Sequence, residues 1–379
     1  MELQLSDDEQ LFYETTERFL EDKTPVAVLR ELRENAVGFD PSFWEEGVQL
    51  GWTSLLVSEE DGGGSVSGKG LKDLALVAHA FGKAAAPGPL LTTNIVAAAL
   101  SRSGSPEQKS GVLEGILGGQ IAAWAHAEPH PNNGLGTITA TLSKSGDGYT
   151  LTGVKAPVES AAQATHFLVS ALLDGAPTQV LVAADAAGVS VAPMGTVDLT
   201  KRFGQVTFAD TPVAAGDLVG APGGAAGDLE YLTDVANVIL VNEMAGSFER
   251  AFAITLEWTF DRYSFGRPLA SYQEIKHRMA DQKMWLEASQ AVANDAATAV
   301  QDADEDASVI VSSAKAYVSE YGLEALQDDI QLHGGIGVTF EHDLHLFLRR
   351  MTLNAGLHGT KSDHRLRITD LLEAKEAAA

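Results

Sequence analysis

The chain has 379 residues, no cysteine, and 52 acidic against 26 basic side chains, for a formal charge of −26. Such an acid excess repels nucleic-acid backbones and anionic lipid surfaces, and the missing thiols exclude disulfides, thiolate nucleophiles and cysteine zinc sites. An apolar fraction of 45% supports a buried core in two or three domains. Any nucleotide must then be held by a few local donors against the overall field.

The acidic start lacks the basic-then-apolar pattern of a signal peptide. The longest apolar runs, such as 121–125, are too short for a bilayer, so the sequence predicts a soluble, cytoplasmic protein. Ser6 and Glu9 form a capping box, and Leu11, Phe12, Thr15 and Phe19 follow at helical spacing. Further helices are expected over 41–50, 71–81, 92–101 and 106–117, separated by turns such as Asp61-Gly62-Gly63-Gly64 and Pro87-Gly88-Pro89. Near residue 121 the texture changes to short runs, most of them rich in Thr and Val, at 137–142, 149–154, 165–172, 179–183, 188–192 and 204–209. That rhythm predicts antiparallel β structure, not βαβ units. Beyond the linker Gly220-Ala221-Pro222-Gly223-Gly224, long amphipathic segments at 229–262, 269–302, 306–332, 342–352 and 362–376 read as helices.

Several motifs lie along this helix–sheet–helix order. Arg262-Tyr263-Ser264-Phe265-Gly266-Arg267 precedes Gln273 and Met279-Ala280-Asp281; Gln331-Leu332-His333-Gly334-Gly335-Ile336-Gly337 follows, then Arg349 and Gly359-Thr360. Toward the N-terminus stand Glu59-Glu60-Asp61-Gly62-Gly63, Gly104-Ser105-Pro106-Glu107-Gln108-Lys109 and Ala127-Glu128-Pro129. Together, in this order, they resemble the acyl-CoA dehydrogenase family over nearly the whole chain. The resemblance implies an α+β fold: an N-terminal helical domain over 1–120, a middle antiparallel β domain over 121–226, and a C-terminal helical bundle over 227–379 that makes the oligomer.

The family's chemistry is α,β-dehydrogenation of an acyl-CoA thioester. A carboxylate takes the α-proton, the β-hydride passes to FAD, and an electron-transfer acceptor reoxidises the flavin. Two positions carry that Glu in the family; here they fall on His358 and Ala236, neither a carboxylate. Glu243, two helical turns after Ala236, is the weak substitute candidate, and His358 another. The ring-lining Trp-x-Thr/Ser is replaced by Pro157-Val158-Glu159, and an ionised carboxylate accepts but cannot donate. The Gly-Ser-Asp expected after Glu-Pro is absent from His130-Pro131-Asn132-Asn133-Gly134.

By contrast, the residues that in the family hold the distal end of a neighbouring subunit's FAD are present: Arg262, Ser264, Phe265, Gln331, Gly334 and Gly335. Arg262 offers a donor fork to pyrophosphate, and the paired glycines allow close backbone approach. This asymmetry resembles the accessory, base-less subunit of actinobacterial α2β2 steroid-CoA dehydrogenases, with the catalytic Glu in a partner subunit. The resemblance favours a bulky steroid or side-chain CoA ester. Two alternatives stay open: a self-sufficient homotetramer with a displaced base, and a non-catalytic acyl-CoA-binding or scaffold paralogue. His342 and His345 beside Glu341 and Asp343 lack a third ligand at metal spacing and read as a surface or interface cluster, and the acids at 302–306 as a solvated loop.

Overall fold

Three of the N-terminal helix starts follow capping chemistry readable in the sequence. In the computed structural model, which describes residues 5–129, 135 and 137–378, helix α1 (Asp7–Lys23) begins on Ser6, and the predicted capping box with Glu9 is present. α2 (Val26–Glu31), a single short turn, was not expected. α3 (Pro41–Gln49) is capped by Asp40 with proline in its first turn; α4 (Gly70–Ala84) and α5 (Leu90–Ser103) follow. Short α6 (Pro106–Gln108) and α7 (Glu114–Leu117) flank a π-helical turn at Lys109–Leu113. Trp52 centres this block, with the rings of Phe19, Phe43 and Phe81 at 5.4, 5.9 and 4.9 Å.

The middle block is one sheet in which the strands β1 (Ala122–Ala125), β2 (Thr141–Ser145), β3 (Gly148–Glu159), β4 (His166–Leu173), β5 (Ala176–Ala183), β6 (Val189–Met194), β7 (Phe203–Val213) and β8 (Leu218–Val219) run in the order β6-β7-β3-β2-β4-β5-β8, with β1 paired to β4. The purely antiparallel sheet expected from the sequence is corrected in two places, because β1 and β2 both pair β4 in parallel. The strand expected from 137 starts only at Thr141. The amides of Thr139 and Ala140 donate instead to the buried Glu128 carboxylate, at 2.8 and 3.0 Å. That carboxylate is neutralised by Lys155 at 2.6 Å, so the Glu-Pro and Gly-x-Lys motifs meet as one buried ion pair joining β1's exit to β3. The segment 130–134 lies outside the described residues.

The C-terminal block holds α8 (Ala226–Asp261), a two-residue hairpin of β9 (Tyr263–Ser264) and β10 (Arg267–Pro268), α9 (Gln273–Gln301), α10 (Ala307–His333), α11 (Leu344–Gly356) and α12 (Lys361–Ala378). α9 starts later than expected because Leu269–Ser271 form a 3-10 turn after the hairpin. α8 crosses α4 at backbone contact. A Cβ on Gly82 would lie 1.9 Å from the Glu243 carbonyl, and one on Gly246 would lie 2.0 Å from the His79 carbonyl. This close crossing buries the polar middle of α8 against the N-terminal helices. No helix among the described residues is long and apolar enough to cross a membrane.

Candidate active site and distal cofactor face

The loop between α11 and α12 holds the half-buried His358 in a left-handed conformation (φ 50°), followed by Gly359 (φ 100°). Three helices fix its backbone. Lys315 of α10, wholly buried, donates to the carbonyls of Asn354 (2.5 Å) and Leu357 (2.9 Å); Asn237 of α8 reaches the His358 carbonyl at 3.4 Å, and the His364 ring of α12 lies 3.0 Å from it. Burial pushes the Lys315 ammonium down to about 7. The two positions at which a base is implied therefore converge: Ala236 is buried on α8, and its neighbour Asn237 touches the His358 loop.

Neither position presents a carboxylate, and the imidazole is poorly placed to replace one. Burial, reinforced by His126 and Lys315, holds His358 down to about 3, so the ring is neutral and weakly basic. Its face is covered by Trp124, whose indole stacks on His358 at 5.0 Å and 22° and on His126 at 4.7 Å and 13°. Beside this stack lies a cavity of about 120 Å³ whose lining includes Thr92, Trp124, Pro157, Glu159 and His358.

Glu243 is committed elsewhere. Its carboxylate accepts from Arg350 (2.6 Å), Lys201 (3.2 Å) and Asn354 (3.0 Å) in a network from which solvent is excluded. Burial would raise its pKa, but Lys201 and Arg350 overcome that and hold the carboxyl below the usual range. Arg350 also binds Asp198 at 2.6 Å, and Lys201 lies 3.1 Å from Glu159, whose pKa burial raises. Five buried charged residues from α8, β3, the β6–β7 connection and α11 thus form one network, whose Glu159 lines the cavity beside the stack. An unpaired charge there would be costly, and each contacts an opposite one, three acids sharing two cations.

The distal residues lie on the other side of the C-terminal bundle. Arg262 caps the end of α8, exposed, with its guanidinium 5.8 Å from the Trp258 ring; Ser264 sits in β9, and Phe265 at the hairpin tip is 98% exposed with φ 51°. Gln331 is exposed near the end of α10. Gly334 (φ 64°) and Gly335 follow, and a Cβ on either would meet nothing within 4 Å. Trp258, not singled out from the sequence, draws the two motifs together: its Nε1 donates to the Leu332 carbonyl at 3.3 Å and its ring stacks on His333 at 4.9 Å. Nothing in the spacing of Trp258 and His333 signals this contact, which exists only because α8 and α10 end side by side.

The two faces differ in their fit to a flavin dinucleotide. The distal face suits the pyrophosphate and adenine end: a free guanidinium, a bare aromatic ring and an open glycine turn without side chains. The central face does not suit the ring, because an indole, two histidines and a closed ion network occupy it. Among the described residues no group of three or more His, Cys, Asp or Glu is placed to share a metal ion.

This architecture and these motifs define an acyl-CoA dehydrogenase, and the chain belongs to that family. The family's N-terminal domain matches residues 6–120 and its C-terminal domain residues 234–372. Among relatives, the chain is 30% identical to acyl-CoA dehydrogenase FadE27 of Mycobacterium tuberculosis, over 84% of each chain. It is 28% identical to acyl-CoA dehydrogenase IpdE2 of Mycolicibacterium smegmatis, over 94% of this chain and 96% of the relative. Among solved structures it is similar to a variant of the Tcur3481–Tcur3483 steroid ACAD (TM-score 0.88, 28% identity, 98% and 99% of the two chains). It is also similar to the ChsE4–ChsE5 complex from M. tuberculosis (TM-score 0.89, 25% identity, 98% and 99%).

Proposed function

We propose that this chain is the accessory subunit of a cytoplasmic, FAD-dependent acyl-CoA dehydrogenase of α2β2 form, and that the partner subunit supplies the catalytic carboxylate. The observation that carries this reading is the contrast between the two faces: the distal groups stand exposed and unobstructed, while the central face is filled and offers no free base. When bound, the flavin supplies the hydride acceptor for the substrate's β-carbon. In this reading Arg262 binds the pyrophosphate, Ser264 donates a hydroxyl, and Phe265 covers the adenine end. Gln331 adds a hydrogen bond, and Gly334 and Gly335 let the dinucleotide approach the backbone. All of them serve a neighbouring subunit's cofactor, which an electron-transfer partner reoxidises.

A bulky steroid or side-chain CoA ester is the favoured substrate. The similarity to a steroid ACAD supports it, as does the room left beside each site when only half the sites of a tetramer are equipped. The self-sufficient homotetramer has less support, because Glu243 is held ionised by two cations and His358 lies under an indole. A scaffold without cofactor would have no use for a bare Phe265 beside Arg262.

The test is Arg262→Gln in the complex purified with its partner. Weakening of FAD binding by tenfold or more, with the assembly mass unchanged, is expected; undiminished affinity would count against the assignment. Glu243→Gln in the same complex should leave turnover per flavin unchanged, whereas a loss on the scale of a missing base would support the homotetramer.

A further inference from the structure

We propose that Trp124 is the plug that closes this chain's own isoalloxazine slot and so determines which of the two subunit types seats the reactive ring. This rests on the subunit role proposed above and assigns its asymmetry to one side chain. His126 lies just past the end of β1, two residues after Trp124, and the two rings stack at 4.7 Å and 13°. The strand itself is fixed, Trp124 pairing with Leu168 of β4 in parallel register and its amide donating to the Thr92 hydroxyl at 2.7 Å. From that anchored backbone the indole lies between His126 and His358, covered on both faces and 3% exposed.

The stack works as a partition. His126 lines an outer cleft of about 510 Å³ between the sheet, α8 and α12; Trp124 and His358 line the inner cavity of about 120 Å³. Pockets that take a cofactor-sized ligand run to about 300–1,000 Å³, so the inner space alone is too small and the outer cleft is walled off from it. α-Proton abstraction needs the substrate carbon within reach of residue 358 and the ring layered against it. An indole in face contact with that residue leaves no layer for either.

The plug is held by packing alone. The Trp124 Nε1 has no hydrogen-bond partner in its buried setting, so removing the ring leaves no polar group orphaned. Both histidines are kept neutral, burial pushing each down to about 3, so the stack does not open by charging near neutral pH.

The probe is lumiflavin, which carries the isoalloxazine ring without the phosphates or adenine, so its binding does not depend on any subunit's distal grip. Fluorescence titration of the native chain is expected to show no binding. Trp124→Ala and Trp124→Leu are expected to bind and quench it, with Kd at least tenfold below the native limit. Thermal melts and co-elution with the partner identify the variants that fold, and His358→Gly, which frees one face of the indole, is read with them. Absence of lumiflavin binding in every folded variant would overturn the proposal, as would native binding equal to theirs. Independently of any variant, a crystal structure of the native complex with a ring layered on His358 and Trp124 swung away would also overturn it. The flavin count of the native complex separates the two ideas: one FAD per two chains, with no variant gaining lumiflavin, sinks the plug and leaves the subunit role standing.

Discussion

Glu243 and Asp329 are both buried carboxyls on long helices, and their surroundings push them in opposite directions. Glu243 has Arg350, Lys201 and Asn354 around it and stays ionised. Glu243→Gln removes its charged hydrogen bonds to Arg350 and Lys201, while Asp198 and Glu159 remain to balance those cations. The substitution should lower the unfolding free energy by about 2 kcal/mol in a urea titration. Asp329 of α10 has no counter-charge, and burial raises its pKa to about 7 against the opposing effect of the neighbouring Thr255 and Gln282. Because the folded state keeps this proton up to about pH 7 while the unfolded chain loses it near 4, the group destabilises the fold progressively as pH rises between those values. Asp329→Asn should raise stability at pH 8 by on the order of 2 kcal/mol and change it little at pH 4.

Three histidines act with the opposite sign. His126, His358 and His364 are each held down to about 3 by burial, so the unfolded chain binds their protons first as pH falls below 6.5. Their stabilising contribution is complete above that pH and shrinks toward pH 3. Replacing His364 with Phe should flatten the acid limb of a melting-temperature profile between pH 6.5 and 4, and an unchanged slope would contradict the assignment.

At the scale of elements, what was legible followed from local chemistry. The Ser6–Glu9 box, the proline starts of α3 and α6, and the long amphipathic runs of α8 and α10 were readable because each signal lies within a turn or two of its effect. β1 was missed because a four-residue, fully buried strand lacks the polar alternation that marks one. The late start of β2 was unreadable for a different reason: Thr139 and Ala140 lose their ladder partners to a carboxylate eleven and twelve residues away. In the site, the sequence pointed to positions 358, 236, 157 and 159 but not to Trp124, Trp258 or Arg350. Their partners come from other elements, up to 234 residues away in the chain for Trp124.

The β9–β10 hairpin gives an element-scale test. Its tip residue Phe265 packs against nothing in this chain, being 98% exposed in a left-handed backbone that favours glycine. Phe265→Ala should leave the melting temperature of the isolated chain within a degree or two and weaken FAD binding by the complex about fivefold or more. Equal FAD affinity would remove Phe265 from the distal grip.

For the whole molecule, the formal charge of −26 sets the terms on which an anionic dinucleotide can be held. The distal face meets them locally: Arg262 is kept in place by the Trp258 ring, and the 334–335 turn adds backbone amides without adding negative side chains. The central face has its cations, Lys201 and Arg350, already matched by Asp198, Glu159 and Glu243. In the proposed reading, one half of the dinucleotide site is open to a neighbour's cofactor and the other is closed within the chain. The direct measurement is flavin absorbance per chain, taken on the isolated protein and on the complex co-purified with its partner. The predicted result is a colourless chain alone and one FAD per two chains in the complex; a stoichiometric, tightly held flavin with dehydrogenase activity in the isolated chain would contradict it.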